Sequence, residues 1–238
     1  MKYDKSQGFA PPGEPAAGAM VIVDAGDAGL PGDLVRPDGA AGVVLFAHGS
    51  GSSRHSPRNR TVAAGLNRAG LGTLLLDLLT DDEERADTQT AALRFDIGLL
   101  TRRLVAAIDW LDASQPPGEP LGLFGASTGA AGALAASAAR PGRVHAVVSR
   151  GGRPDLAGPT LGRVGLPVLL IVGGRDPEVA ELNRAAARQL GGPSEIRTVP
   201  GATHLFQEPG ALDQVTELAA GWFCQHLGPR QQRAGRAE

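Results

Sequence analysis

The stretch Leu121-Gly-Leu-Phe-Gly-Ala-Ser127-Thr-Gly-Ala-Ala-Gly-Ala-Leu134 does most to fix what this chain of 238 residues can become. An apolar run ends in Gly125-Ala-Ser127-Thr-Gly129, and a run of small helix-forming residues follows. That order reads as a strand, a sharp turn and a helix, with one hydroxyl at the apex. Glycines flank the apex because the strand and helix backbones approach closely there and leave no room for side chains. Ala130, Ala131 and Ala133 suit tight packing of that helix on the sheet behind it. The helix start also turns backbone N–H groups toward the apex, which favours negative charge at that point. Glycine is 34 of 238 residues, so the pentapeptide alone is a weak signal and its meaning rests on what surrounds it.

The remainder of the chain repeats one theme, a buried apolar run followed by an amphipathic one. Met20–Asp24 and Gly32–Arg36 read as paired strands around a Gly/Asp turn. Ala41–Ala47 is a strand apolar throughout, as expected when both faces are covered. It runs into the polar loop 48–57, where Ser56 caps a helix from Arg58 to Ala69. Gly72–Leu79 is the next strand, followed by a charged loop, Thr80–Arg85, and a long helix from Thr90 to Asp112. Beyond the Ser127 turn come strands at Val144–Ser149, Val168–Val172 and Glu195–Val199. Helices follow at Glu178–Leu190 and Ala211–His226. Strictly alternating strands and helices predict one doubly wound α/β domain over residues 20–227, with a mostly parallel sheet. Residues 1–19, rich in Pro, Gly and Ala, and residues 228–238 read as a flexible leader and a disordered tail.

Composition narrows the function. A net charge of −2, with no long basic run, speaks against a nucleic-acid partner. The single cysteine, Cys224, excludes an internal disulfide and a multi-cysteine metal site, and its surroundings place it on the buried face of the last helix. The five histidines lack ligand spacing, so neither metal nor cofactor is implied. No stretch reads as a signal peptide or membrane span, and a cytoplasmic protein is the default expectation.

Sites in such sheets form at the carboxyl ends of the strands. Three residues converge there: Ser127, then Asp176 after Val172-Gly-Gly-Arg, then His204 after the last strand. A serine hydroxyl becomes a nucleophile only when a base takes its proton, and His204 can do this. Asp176 would hold the imidazole in the required tautomer. A tetrahedral oxyanion needs backbone donors, for which Thr128 N–H and a donor after His48-Gly49 are the candidates, with Ser50 preferred and Gly51 second. Two alternatives stay open: Asp176 could serve only to cap the next helix, and Asp155 is a rival acid. His48 reads as structural, with its ring tied to loop backbone, and His145 as structural at a strand start. Arg54, His55, Arg150 and Arg153 are candidate substrate contacts. With Arg58 and Arg175, these arginines could attract an anionic substrate or could merely pair with acids such as Asp81, Asp82, Glu83 and Glu84.

Gly-Ala-Ser127-Thr-Gly, Gly-Gly-Arg-Asp176, Gly-Ala-Thr-His204 and Phe-Ala-His48-Gly-Ser-Gly together resemble the α/β-hydrolase superfamily, and the compact layout is similar to its dienelactone hydrolase-like branch. The resemblance covers about Val21 to Leu227. It implies a serine hydrolase acting on an ester or related acyl bond, with Ser127, Asp176 and His204 as its triad. Two features depart from dienelactone hydrolases, which use a cysteine nucleophile and carry an arginine shortly after the histidine; here Ser127 and Leu205-Phe-Gln-Glu208 stand in those places. The stretch Gly51–Asn59 is also similar to a subgroup of unassigned bacterial hydrolases, some joined to a phosphoribosyltransferase domain, which is not expected here. The connection from Ser149 to Leu166 is short for a cap domain, so an open pocket and a small ester are expected. Lactone or thioester hydrolysis, acyl transfer, and a binding module with little turnover are the alternatives.

Overall fold

The central strands are almost wholly apolar because helices cover both of their faces. The computed structural model describes residues 18–49, 51–114 and 118–228. In it β3 (Val43–Ala47), β4 (Gly72–Leu76), β5 (Leu121–Ala126) and β7 (Val168–Gly173) are buried along their whole length. With β1 (Ala19–Asp24), β2 (Gly29–Val35), β6 (Val144–Arg150) and β8 (Ser194–Val199) they form one sheet in the order β1-β2-β4-β3-β5-β6-β7-β8. The hairpin β1–β2 joins β4 antiparallel, and every other pairing is parallel. The expected single α/β domain with a mostly parallel sheet is what the chain forms.

Two hydrophobic cores lie on opposite sides of this sheet. Strand residues alternate between them: Val43, Leu45 and Ala47 face α3 (Ile97–Ser114) and α4 (Thr128–Ala139), whereas Val44 and Phe46 face α1 (Pro57–Arg68) and α6 (Ala211–Leu227). The rings of Phe46 and Phe124 meet at 4.8 Å in the second core. Helix α4 is buried all round, between the sheet, α3 and the segment Pro154–Arg163, which explains its alanines and glycines. Gly122 admits Phe223 of α6; a Cβ there would lie 2.6 Å from the ring. Among the described residues, no helix is long and apolar enough to cross a membrane.

Three local expectations are corrected. The stretch read as a charged loop, Thr80–Arg85, starts a helix, α2 (Asp81–Thr90). Thr80 and Glu83 close a reciprocal capping box: Thr80 Oγ1 accepts from Glu83 N–H at 3.3 Å, and Glu83 Oε2 accepts from Thr80 N–H at 2.8 Å. Four carboxylates in the first turn then face the positive end of the helix. Consequently the long helix does not begin at Thr90: α2 ends at Ala91 in the left-handed region, a short turn covers Leu93–Phe95, and α3 starts at Ile97. Cys224 is exposed, since its neighbour Phe223 takes the core position. Residues 1–17 and 229–238, most of the expected leader and tail, lie outside the described residues, while Ala19 already belongs to β1.

Candidate active site

Strand β5 delivers Ser127 into a left-handed turn, φ 50° and ψ −124°. A non-glycine residue there is strained by about 1–3 kcal/mol, so the surroundings must hold it. They do so through the backbone: Ser127 N–H donates to Arg150 O at 3.3 Å, and Ser127 O accepts from Arg153 N–H at 3.0 Å and Ala130 N–H at 3.1 Å. The glycines are needed on steric grounds. A Cβ on Gly125 would lie 2.4 Å from Ala130 Cα, one on Gly129 2.3 Å from Ala47 O, and one on Gly49 2.8 Å from Ser127 Cβ.

On the neighbouring strand end, Gly173 and Gly174 let the loop after β8 come close. A Cβ on Gly173 would lie 2.5 Å from Ala202 O. Gly174 N–H donates to Val199 O at 2.9 Å and Arg175 N–H to Ala202 O at 2.9 Å, which locks the two loops together. This brings Asp176 Oδ2 to 2.8 Å from His204 Nδ1. Asp176 stands at the start of α5 (Pro177–Ala187), yet its side chain makes no capping hydrogen bond. The rival Asp155 is taken by Arg153, whose Nε and Nη2 reach its two oxygens at 2.9 and 2.8 Å. The segment 150–153 ties the two halves together. It bonds the Ser127 backbone as described, and a Cβ on Gly151 would lie 3.1 Å from His204 O and 3.6 Å from Nδ1.

Beside this arrangement a cleft opens, walled by Gly49, Gly51, Asp77, Glu84, Arg94 and Thr128, among others. Thr128 is the first residue of α4 and is buried; Gly51 is left-handed at φ 62°; Ser50 lies outside the described residues. His48 braces the wall as expected: its Nε2 accepts from Leu78 N–H at 3.0 Å while Nδ1 lies 3.1 Å from Gly49 O. That pattern requires the Nδ1–H tautomer, and burial pushes the imidazole pKa below its ordinary value. The sequence reading missed Glu84 and Arg94 as cleft residues. Arg94 is anchored by Asp87, with Nε 2.5 Å from Oδ2, and both depend on α2, which was not recognised as a helix.

The edge arginines divide. Arg54 is occupied by Asp77, which takes both its backbone N–H, at 2.6 Å, and its guanidinium. Arg153 is occupied by Asp155. The pairing thus involves acids other than those of α2. His55 is exposed and lies 3.3 Å from Arg60 Nη1. Among the described residues, Arg150 and Arg58 have buried nitrogens without a partner, and burial and Arg58 together push the Arg150 pKa down to about 10. His145 accepts from Leu121 N–H at 3.3 Å, a structural role at the start of β6. Among the described residues, no cluster of His, Cys, Asp or Glu is arranged to hold a metal ion.

The profile of the dienelactone hydrolase family matches residues 30–222. The chain belongs to that family. It is 54% identical to a dienelactone hydrolase from Anabaena variabilis whose crystal structure superposes with a TM-score of 0.86, over 90% of this chain and 99% of that one. A dienelactone hydrolase-like promiscuous phosphotriesterase from metagenomic libraries shares the fold at 19% identity and a TM-score of 0.73, over 90% of this chain and 99% of that one. A relative in Mycobacterium tuberculosis, named provisionally as a phosphoribosyl transferase, is 56% identical over 212 residues, 88% of this chain. Those residues are 47% of that relative, so the chain spans about half the length of the curated relatives it matches. Family membership and the superposition agree with the fold that the sequence motifs implied.

Proposed function

We propose that the chain is a serine hydrolase that cleaves a carboxylic ester of a small substrate. The observation that carries this reading is the 2.8 Å contact between Asp176 and His204 Nδ1, at the sheet edge where Ser127 occupies a strained turn. With Nδ1–H donated to Asp176, Nε2 of His204 is left as the base. It takes the Ser127 proton as Oγ bonds to the ester carbonyl carbon. The resulting oxyanion is held by Thr128 N–H and by a donor from the loop after Gly49, where Ser50 or Gly51 serves. Collapse of the adduct breaks the bond to the alcohol, which leaves with the proton from His204. Water then attacks the acyl-enzyme by the same route and releases the acid.

The short connection after β6 supports an open site: Pro154–Arg163 packs on α4 instead of forming a lid. The transferase name of the mycobacterial relative belongs to a protein about twice as long as this chain. A panel of p-nitrophenyl esters, run beside lactones and thioesters, tests the reading. Turnover of short esters that is lost in His204→Ala supports it. Turnover unaffected by that substitution, or none for any acyl compound, removes it.

A further inference from the structure

The sheet has two edge strands, and they are guarded differently. The β8 edge carries Glu195 and Arg197, which form an ion pair and put charge where another strand would dock. The β1 edge has no such guard. Ala19-Met-Val-Ile-Val-Asp24 contains no lysine, arginine or proline, and its register with β2 runs through all six residues without a bulge. Val21 and Val23 point into the core. Met20 and Ile22 project from the opposite face, 71% and 56% exposed, and are two of the four large hydrophobic side chains exposed among the described residues. The backbone at the same positions is free to bond. Ala25 N–H donates to Ala28 O at 2.9 Å in the hairpin turn, and Asp77 N–H donates to Pro31 O at 3.0 Å. Pro31, which faces Ile22, thus turns its carbonyl toward the β4 side and away from β1. Facing residues in an antiparallel ladder alternate between exchanging hydrogen bonds and pointing apart, so Met20, Ile22 and Asp24 direct their N–H and C=O groups outward. No strand of the described residues lies beyond β1.

We propose that this edge binds β1 of a second copy of the chain, antiparallel, about a two-fold axis at Val21. Met20 then faces Ile22 of the second copy, Ala19 faces Val23, and Val21 faces its own counterpart. Met20 and Ile22 both point outward, so each such pair exchanges two N–H···O bonds. Every facing pair from 19 to 23 is apolar, and Asp24 meets Gly18, so no like charges oppose each other. That self-complementarity favours a second copy as the occupant. An axis at Ile22 would instead set Asp24 against Met20. Pairing β1 with β8 of a second copy would bring the charges of Glu195 and Arg197 against an apolar strand and, being head-to-tail, would not close as a pair. One strand pair covers less than the roughly 800 Å² per partner of a standard interface, so the dimer is expected to dissociate on dilution.

Analytical ultracentrifugation of the full chain, from about 1 to about 200 μM, tests this. A monomer at low concentration that becomes a dimer at high concentration is expected. Ile22→Pro removes an outward N–H and leaves the bonds between β1 and β2 in place, and proline is tolerated on an edge strand. It is expected to raise the dimer dissociation constant by about tenfold or more while melting of the dilute monomer shifts little. Met20→Lys, which sets a cation against Ile22 of the second copy, is expected to weaken the dimer likewise and suffices if Ile22→Pro does not fold. Thr198→Lys on β8 is expected to change nothing. Hydrogen exchange adds a readout at the strand itself: the Met20 and Ile22 amides are expected to gain protection as concentration rises. A chain that stays monomeric throughout overturns the proposal. So does a dimer that Ile22→Pro and Met20→Lys leave intact, or one lost in Thr198→Lys instead. Protection of the two amides that is independent of concentration places another segment of the same chain, such as residues 1–17, on the edge and overturns it as well.

Discussion

Replacing Gly129 with alanine puts the geometry of the Ser127 turn on trial, because elsewhere in helices the same change is mildly stabilising. Glycine in a helix interior costs about 0.5–1 kcal/mol relative to alanine. At Gly221 in α6 nothing lies within 4 Å of the new Cβ, so Gly221→Ala is expected to gain about that much. At Gly132 the Cβ would meet the Leu100 and Leu104 side chains at 3.2 Å, contacts that small shifts relieve, so the change is expected to be near neutral. At Gly129 it would lie 2.3 Å from Ala47 O and 2.5 Å from His48 O. These are backbone atoms at the end of a buried strand and cannot rotate away. Relief needs a separation of about 1 Å between β3 and α4, and overpacking against fixed backbone costs about 3 kcal/mol or more. Urea unfolding followed by far-UV circular dichroism reads this directly. The Gly129→Ala midpoint is expected to fall by about 1 M while that of Gly221→Ala rises slightly. Equal midpoints for Gly129→Ala and the parent chain would refute the reasoning.

Other outcomes follow from the same structure. Asp176→Asn is expected to lower kcat for esters by about a thousandfold or more, whereas Asp155→Asn, which only releases Arg153, changes it by less than about threefold. The acid limb of stability depends on Glu83, which Arg103 holds at a pKa of about 2 rather than 4.5. The folded value lies below the unfolded one, so its contribution is full above pH 4.5 and is lost as pH falls through about 2. The urea midpoints of the parent chain and Glu83→Gln should therefore differ at pH 6 and converge toward pH 2. Arg103→Met is expected to cost about 3 kcal/mol, since it removes the cation from Glu83, leaving it only the Thr80 N–H, and the donor from Leu78 O, which Arg103 Nη1 meets at 2.8 Å. Urea unfolding at pH 7 checks this.

Much of the fold was legible because its signals are local and strong. Largely apolar runs mark β3, β4, β5 and β7, and Gly125, Gly129 and Gly173 mark the places where backbones touch. Strand ends brought Asp176 and His204 to one edge, since a parallel sheet sends every such end there, but they brought Asp155 too, and only its capture by Arg153 tells the two acids apart. What was not legible depended on reciprocal or distant partners. The capping box of Thr80 and Glu83 was written in the sequence but hidden among acids that resemble a solvated loop. Without α2, the Arg94 side of the cleft could not be foreseen. The pairing of Arg54 with Asp77, across 23 positions, leaves no local trace, nor does the lack of a partner for Arg150. Cys224 was misplaced by one helical position, because Trp222, Phe223 and Cys224 are all apolar and only packing decides which one faces inward.

The account stands on Ser127 being a hydroxyl activated by His204. Labelling of the folded chain with a fluorophosphonate, followed by mass spectrometry of its peptides, tests that most directly. The account predicts one modified residue, Ser127, with labelling abolished in Ser127→Ala and slowed by about a thousandfold in His204→Ala. A folded chain that takes up no label, or labels equally fast without His204, contradicts it.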